Sequence, residues 1–220
     1  PALVRTLALA GRGTAVPWLT EVLQHPPSAL DAADTLGLMG DPAAVPALIS
    51  ALEGDASAAA ARALHMITGA DLEVETFVED VLEDDELFED EREKLARGEP
   101  ITPPDQAPRG TTVAGPSTDL EVWTEWWERN RDAFHSADRF RLGQPAGPAS
   151  QVASLAAPFV PHRLRRWIAD ELAVRYRMDV PFDATWDVAH QRTALEAMRA
   201  WADAQHVVPG RWYVSAHYAS

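Results

Sequence analysis

Cysteine is absent from the 220 residues, which excludes disulfide scaffolds, thiolate zinc sites and cysteine nucleophiles. Positive charge is scarce. Lys and Arg number 19 against 34 Asp and Glu, for a net charge of −15, and lysine occurs only once. A chain so acidic has little with which to neutralise phosphates, so no nucleic-acid partner is expected. No apolar run reaches the about 18 residues of a membrane span, so no membrane role is expected either. The opening PALVRTLALAG has no basic start and no cleavage site, which argues against a signal peptide and for a soluble, cytoplasmic protein. That opening also lacks Met, and Pro1 leads directly into a helical pattern, so the chain reads as a piece of a longer one.

Recognisable chemistry is missing as well. None of the seven His residues (25, 65, 135, 162, 190, 206 and 217) has a His four positions away or other metal-ligand spacing. His65 reads as a packed or rim residue, and His190 is the most polar group of its helix without a partner motif. Gly-Arg-Gly at 11–13 lacks the Gly-Lys-Ser/Thr that completes a phosphate loop, and no Gly-x-Ser-x-Gly elbow occurs. No catalytic residue, metal or cofactor is therefore assigned.

What is present is unevenly distributed. Residues 1–70 carry a net charge of −3, residues 71–117 a net of −11 and residues 118–220 a net of −1. Seven of the eight Trp follow residue 117. The ends are therefore built differently, and four segments are expected: repeats over 1–70, an acidic helical segment over 71–97, a linker over 98–117 and an aromatic helical domain over 118–220.

The first seventy residues repeat. VRTLALAGRGTAVPWLTEVLQ (4–24) aligns with ADTLGLMGDPAAVPALISALE (33–53) at an offset of 29, pairing Leu7 with Leu36, Gly11 with Gly40, Val16 with Val45, Pro17 with Pro46, Leu19 with Leu48 and Leu23 with Leu52. A third, partial copy is AARALHMITG (60–69), with Leu64 and Met66 in the places of Leu36 and Leu38. A period near 30 marks a solenoid unit. Each copy reads as two short helices. Segments 28–39 and 56–67 are rich in helix-favouring Ala, Gly40 and Gly69 suit left-handed C-caps, and Asp41-Pro42 caps and opens the next helix. Val45, Leu48, Ile49 and Leu52 form a stripe that one helical pair cannot bury alone. The small alanines let neighbouring helices approach closely. Further copies are expected before Pro1.

LGLMGDPAAVPALISALEGD and AARALHMITG resemble the short HEAT-like repeats first described in phycobilisome lyases. The resemblance implies an α-solenoid. It does not imply lyase chemistry, nor the di-iron hydroxylation of another HEAT-repeat family, because no His is followed by Glu in this chain.

The acidic middle, DLEVETFVEDVLEDDELFEDERE (71–93), holds thirteen Asp or Glu and one Arg. Phe77, Val78, Val81 and Leu82 keep helical spacing, so one or two amphipathic helices are expected. The charge would offer a docking surface for a basic partner, but a solvated face is the simpler reading and the one expected. Segment 98–117, with five Pro and three Gly, reads as an extended connection.

Beyond it, Thr118 and Glu121 suggest a capping box for a helix to about Phe134. Trp123, Trp126, Trp127, Asn130 and Phe134 share a face of that helix, and a turn, DRFRLGQP, brings Arg139 and Arg141 together. Helices are expected over 150–157, 161–177 and about 188–205. Glu171 and Arg175 are spaced as an i,i+4 pair, and surface ion pairing is expected for the Arg163–Arg177 group. The tail RWYVSAHY (211–218) has strand-like content without an evident partner.

WTEWWERNRDAFHSADRFRLGQP, RLRRWIADELAVRY and FDATWDVAHQRTAL together resemble a bacterial family of HEAT-repeat proteins of unknown function, many encoded near type VI secretion genes. The expected architecture is all-α, a solenoid of HEAT-like repeats followed by a Trp-rich helical region. The expected role is a non-catalytic scaffold or adaptor for another protein, such as an effector, a toxin or a secretion component. The alternatives are an acidic immunity-type protein that neutralises a basic toxin, or an enzyme with an unrecognised site. The candidate partner-binding residues are Glu83, Asp84, Asp85, Glu86, Trp126, Arg139 and Arg141.

Overall fold

The computed structural model describes residues 6, 7, 9, 11–79, 88–98, 110–157, 159–215 and 217–218, and these are mostly helical. The repeat region forms α1 (Val16–Val22), α2 (Ala29–Met39), α3 (Val45–Ser50) and α4 (Ser57–Thr68), joined by single 3₁₀ turns at Pro42–Ala44 and Ala51–Glu53. Three repeat-equivalent pairs share one fate: Val16 and Val45, Leu19 and Leu48, and Leu23 and Leu52 are all buried in one apolar core, together with Leu36 and Leu64, while Leu7, the counterpart of Leu36, is partly buried against it. Leu38 and Met66 point the other way, into a second core with Leu164, Ile168, Leu172 and Met198. Helices α2 and α4 are thus buried on two sides, which is why Ala32 to Met39 carries no exposed residue.

Small residues set the spacing of these two helices. A Cβ placed on Gly37 would lie 2.8 Å from the Ala63 Cα, so the backbones of α2 and α4 nearly touch. Gly40 and Gly69 end them in the left-handed region, at φ +74° and +62°.

The remaining described elements are β1 (Glu73–Glu79), α5 (Glu89–Ala96), β2 (Gly110–Pro116), α6 (Leu120–Asn130), β3 (Phe140–Arg141), β4 (Gln144–Pro145), α7 (Pro148–Leu155), α8 (His162–Tyr176), α9 (Val188–Asp203), β5 (Tyr213–Val214) and β6 (His217–Tyr218). No helix among the described residues is long and apolar enough to cross a membrane.

Several expectations are corrected. Residues 73–79 form a strand, not a helix, and pair with β2, which lies inside the expected linker. Val74, Thr76, Phe77 and Val78 are β-branched or aromatic, and Thr111, Thr112 and Val113 supply a matching partner, so strand preference outweighs the partial helical spacing. Residues 80–87 of the acidic stretch lie outside the described residues; its described end is helical, in α5, where the Phe88 amide donates to Glu91 Oε2 at 3.0 Å. The division of the chain differs too. Pro1–Leu72 and Pro116–Ser220 form one compact unit, and Glu73–Gly115 forms a second. The repeats and the aromatic region are therefore not separate domains. The tail folds back on itself, pairing Tyr213 with Tyr218 and Val214 with His217 through a turn at Ser215.

The segment around the β3–β4 hairpin joins the two ends of the main unit. A helix leaves its last carbonyls without partners, and this segment satisfies those of both α2 and α4. The Phe140 amide donates to Gly40 O at 2.7 Å, Leu142 to Met66 O at 2.7 Å and Gly143 to Ile67 O at 3.0 Å. Arg139 Nε donates to Met39 O at 2.7 Å, and Arg141 Nη1 donates to Gly37 O at 3.0 Å. A Cβ on Gly40 would lie 2.2 Å from Phe140 O, so the glycine also admits the incoming strand.

Both guanidiniums then meet Glu171 of α8, which also takes Arg175 Nε at 2.7 Å. All four side chains are buried. Trp212 lies against two of the cations, 4.6 Å from Arg139 and 5.3 Å from Arg175. Burial alone would raise the Glu171 carboxyl, but Arg139, Arg175 and Arg141 outweigh it and hold it below its ordinary value. Burial pulls Arg141 down to about 10, against the pull of Glu171. At neutral pH the group is therefore one anion among three cations. Asp34, 1 % exposed, is a second interior carboxylate, tied to Arg62 at 2.7 Å and to Arg163 of α8.

Two outcomes follow from this packing. Gly37→Ala should destabilise the fold by about 1–3 kcal/mol in urea titration, although Ala favours helix by about 1 kcal/mol; a stabilised variant would contradict the close approach to Ala63. Glu171→Gln should cost about 3–5 kcal/mol at pH 7, because three buried cations lose their anion. A carboxyl held low contributes stability above its ordinary range and loses it as pH falls, so the gap to wild type should close below about pH 4.

Candidate functional site

Helix α6 is fixed at its start by polar contacts. Asp119 Oδ1 accepts from the Glu121 and Val122 amides at 2.9 and 3.1 Å, so Asp119, not Thr118, is the N-cap. Its carboxylate reaches both amides from the position directly before the helix. Ser117 O accepts the Trp123 indole N–H at 2.6 Å, which satisfies the one polar atom of a fully buried ring.

From Trp123 a row of aromatic rings runs outward. Trp123 and Trp126 are 6.2 Å apart, Trp127 and Phe134 5.4 Å, and Phe134 and Phe140 4.8 Å. Helix α6 ends at Asn130, four residues before the expected Phe134, and the 3₁₀ turn Arg131–His135 carries Phe134 beneath Trp127. Phe134 and Trp127 face the start of α3, and a groove of about 330 Å³ opens between them. One wall is Pro42, Ala43 and Pro46 of the second repeat; the other is Trp127 and Phe134, with Arg131 and His135 alongside.

The repeat wall is held by Asp41, whose Oδ1 accepts from the Ala43 amide at 2.9 Å. Burial pushes this carboxyl above its ordinary range. The Ala43 hydrogen bond pulls it back, Asp138 adds to the rise and Arg139 opposes it. Pro42 and Pro46 have no N–H, and their carbonyls serve the Val45 amide and the Ser50 hydroxyl. The wall is therefore apolar and has no backbone edge for a strand to join.

Other depressions are chemically plainer. One, about 430 Å³, lies between the β4–α7 connection and the end of α9, and no ionisable residue lines it. Another, about 370 Å³, contains Arg163, Arg166, Trp167 and Asp183, but Arg163 is already engaged by Asp31 at 2.8 Å and by Asp34. Among the described residues, no group of three or more His, Asp or Glu could hold a metal ion. His65 is packed, with Nδ1 3.1 Å from Ala70 O and its ring edge-on to Phe159, centroids 5.3 Å apart. His190 pairs with Asp187 and has the Trp186 ring 6.5 Å away, centroid to centroid.

The sequence candidates fare unequally. Glu83, Asp84, Asp85 and Glu86 lie outside the described residues. Trp126 is half-buried and belongs to the aromatic row. Arg139 and Arg141 are corrected: both are 0 % exposed and serve Glu171 and the α2 carbonyls, so neither can meet a partner. The surface pairing expected for Glu171 and Arg175 is likewise an interior one. Trp127, Arg131, Pro42 and Pro46, which do line a surface groove, were not singled out. Trp127 reads as core from helical spacing, and only its position one turn from exposed Arg131 hints at a rim.

The PBS lyase HEAT-like repeat family matches residues 29–54, which span α2, α3 and the repeat wall of the groove. No curated protein and no solved structure matches the chain.

The Asp41 cap is testable. Asp41→Ala should lose about 1 kcal/mol in thermal or urea unfolding. Asp41→Asn keeps the acceptor and removes the buried charge, so it should equal or exceed wild type at pH 7. A raised carboxyl means that wild type is favoured at low pH and loses stability as pH rises from the ordinary Asp value through the raised one. The advantage of Asn should therefore vanish below about pH 4.

Proposed function

We propose that this chain is a non-catalytic protein-binding module, in which short HEAT-like repeats stack as an α-solenoid and the aromatic C-terminal region completes the binding surface. HEAT-like repeats generally mediate protein–protein interaction, and the repeat match supports that coarse reading. The observation that carries the rest is the groove: one wall comes from within the matched repeat, the other from Trp127 and Phe134. Aromatic and Arg side chains at a partly desolvated surface are the residue types that dominate protein interfaces. The groove has the size of a ligand pocket at the low end of the range, enough for a side chain or two of a partner.

A finer placement rests on the resemblance of the Trp-rich helix and the Arg139–Arg141 turn to proteins encoded near type VI secretion genes. On that reading the module is an adaptor acting beside the secretion machinery in the cytoplasm, holding an effector or a structural subunit.

The test is differential capture. Tagged wild type, Trp127→Ala, Ala43→Arg and a control, Trp186→Ala, are exposed to extract of the source cell after their melting temperatures are compared. Ala43→Arg fills the groove from an exposed position, and Trp186 is an exposed ring outside it. Proteins retained by wild type and control but reduced about tenfold or more in both groove variants support the reading. The same set retained by all four, or no specific protein retained by wild type, overturns it.

A further inference from the structure

We infer that the groove takes an extended acidic segment of a partner protein, with a large apolar side chain seated against Trp127 and a neighbouring carboxylate bound by Arg131. The inference rests on the binding reading above and adds the chemistry of the occupant.

The lining is one-sided in charge. Of its seven residues none is acidic, and the two polar ones are Arg131 and His135. Arg131 is exposed, and among the described residues its guanidinium has no hydrogen-bond or ion-pair partner. His135 is held through Nδ1, 3.1 Å from Asp132 O. The half-buried indole N–H of Trp127 has no acceptor among the described residues, whereas that of Trp123 does.

The groove therefore offers the Arg131 guanidinium and the Trp127 indole N–H as donors, and Arg131 is the one fixed charge of its lining; His135, whose Nδ1–H is given to Asp132 O, presents Nε2. A carboxylate fits a guanidinium bidentately, and a charge-assisted bond of that kind is roughly twice as strong as a neutral one. The proline wall offers no free backbone N–H or strand edge, so recognition is by side chains and not by added strand pairing. The volume of about 330 Å³ admits one large side chain with its flanking group, not a folded surface.

The net charge of −15 sharpens the argument. Summed over the whole chain, electrostatics favour basic peptides and repel acidic ones. A preference for acidic peptides can only arise locally.

The experiment uses three acetylated, fluorescein-labelled nonapeptides with the same central Phe-Leu pair. The flanking residues are Glu in one, Gln in the second and Lys in the third. Anisotropy titrations compare wild type, Arg131→Gln, Arg131→Glu and Trp127→Ala. The expected order for wild type is Glu over Gln by about tenfold at low salt, with Lys weakest, and the Glu advantage should shrink as salt is raised. Arg131→Gln should erase the advantage, Arg131→Glu should turn it toward the Lys peptide, and Trp127→Ala should lower affinity for all three.

Equal affinity for the three peptides, a preference for Lys in wild type, or a Glu preference that survives Arg131→Glu overturns the inference. Capture that depends on Trp127 and Ala43 while the peptides show no charge preference leaves the binding module standing and removes only the acidic occupant. Loss of both results removes both.

Discussion

The structure depends on how two helices end. Met39 and Thr68 close α2 and α4, and the carbonyls of their last turns point toward one segment, residues 139–143. That segment answers with backbone amides from Phe140, Leu142 and Gly143 and with guanidinium groups from Arg139 and Arg141. Buried carbonyls without donors would cost about 1–3 kcal/mol each, so the contact is a requirement of burying these helix ends. The two glycines are part of the same solution. Each ends a helix in a left-handed turn and leaves the space of a missing Cβ to the strand that docks there.

The same contact explains why three cations tolerate burial around one carboxylate. An isolated pair would give up water for little net gain. Here the surplus positive charge lies against the negative end of the α2 dipole, with further carbonyls from Gly11 and Tyr213 on Arg175 and the face of Trp212 against Arg139 and Arg175. The arrangement specifies a geometry more than it adds stability. Glu171 can reach Arg139 and Arg141 only if α8 sits at the end of α2, so the charges fix the register between repeats and C-terminal helices. The groove follows from that register, because Phe134 is positioned by Phe140 from inside and by Trp127 from outside.

Much of the repeat region was legible in the residues. The offset of 29, the glycine caps and the Asp41-Pro42 start describe real helices with real boundaries, because each signal is local. The rest was less legible for equally physical reasons. Arg139 and Arg141 look like surface residues because they sit in a short polar turn directly after Asp138; their partners lie in α2 and α8, 30 to 104 residues away. The strand at 73–79 was hidden because its apolar residues fit two periods, and the partner that decides between them lies beyond a long acidic stretch. The groove was hidden because Trp127 satisfies helical core spacing, and only the break of α6 at Asn130 turns that ring into a wall. No single periodicity encodes a surface made by two distant elements.

The meeting of Leu72 and Ser117 has a consequence of its own. The amide of Ser117 donates to Leu72 O at 2.7 Å, so the main unit closes on itself where the second unit departs and returns. Residues 73–115 are therefore inserted in the sequence between two stretches of one compact unit, and lengthening such an insertion changes its closure entropy only by about 0.6 kcal/mol per doubling. Most of the net negative charge of the chain lies in or beside that insertion. Architecture and electrostatics are thereby uncoupled: the excursion can gain, lose or exchange acidic residues while the body that carries it stays the same.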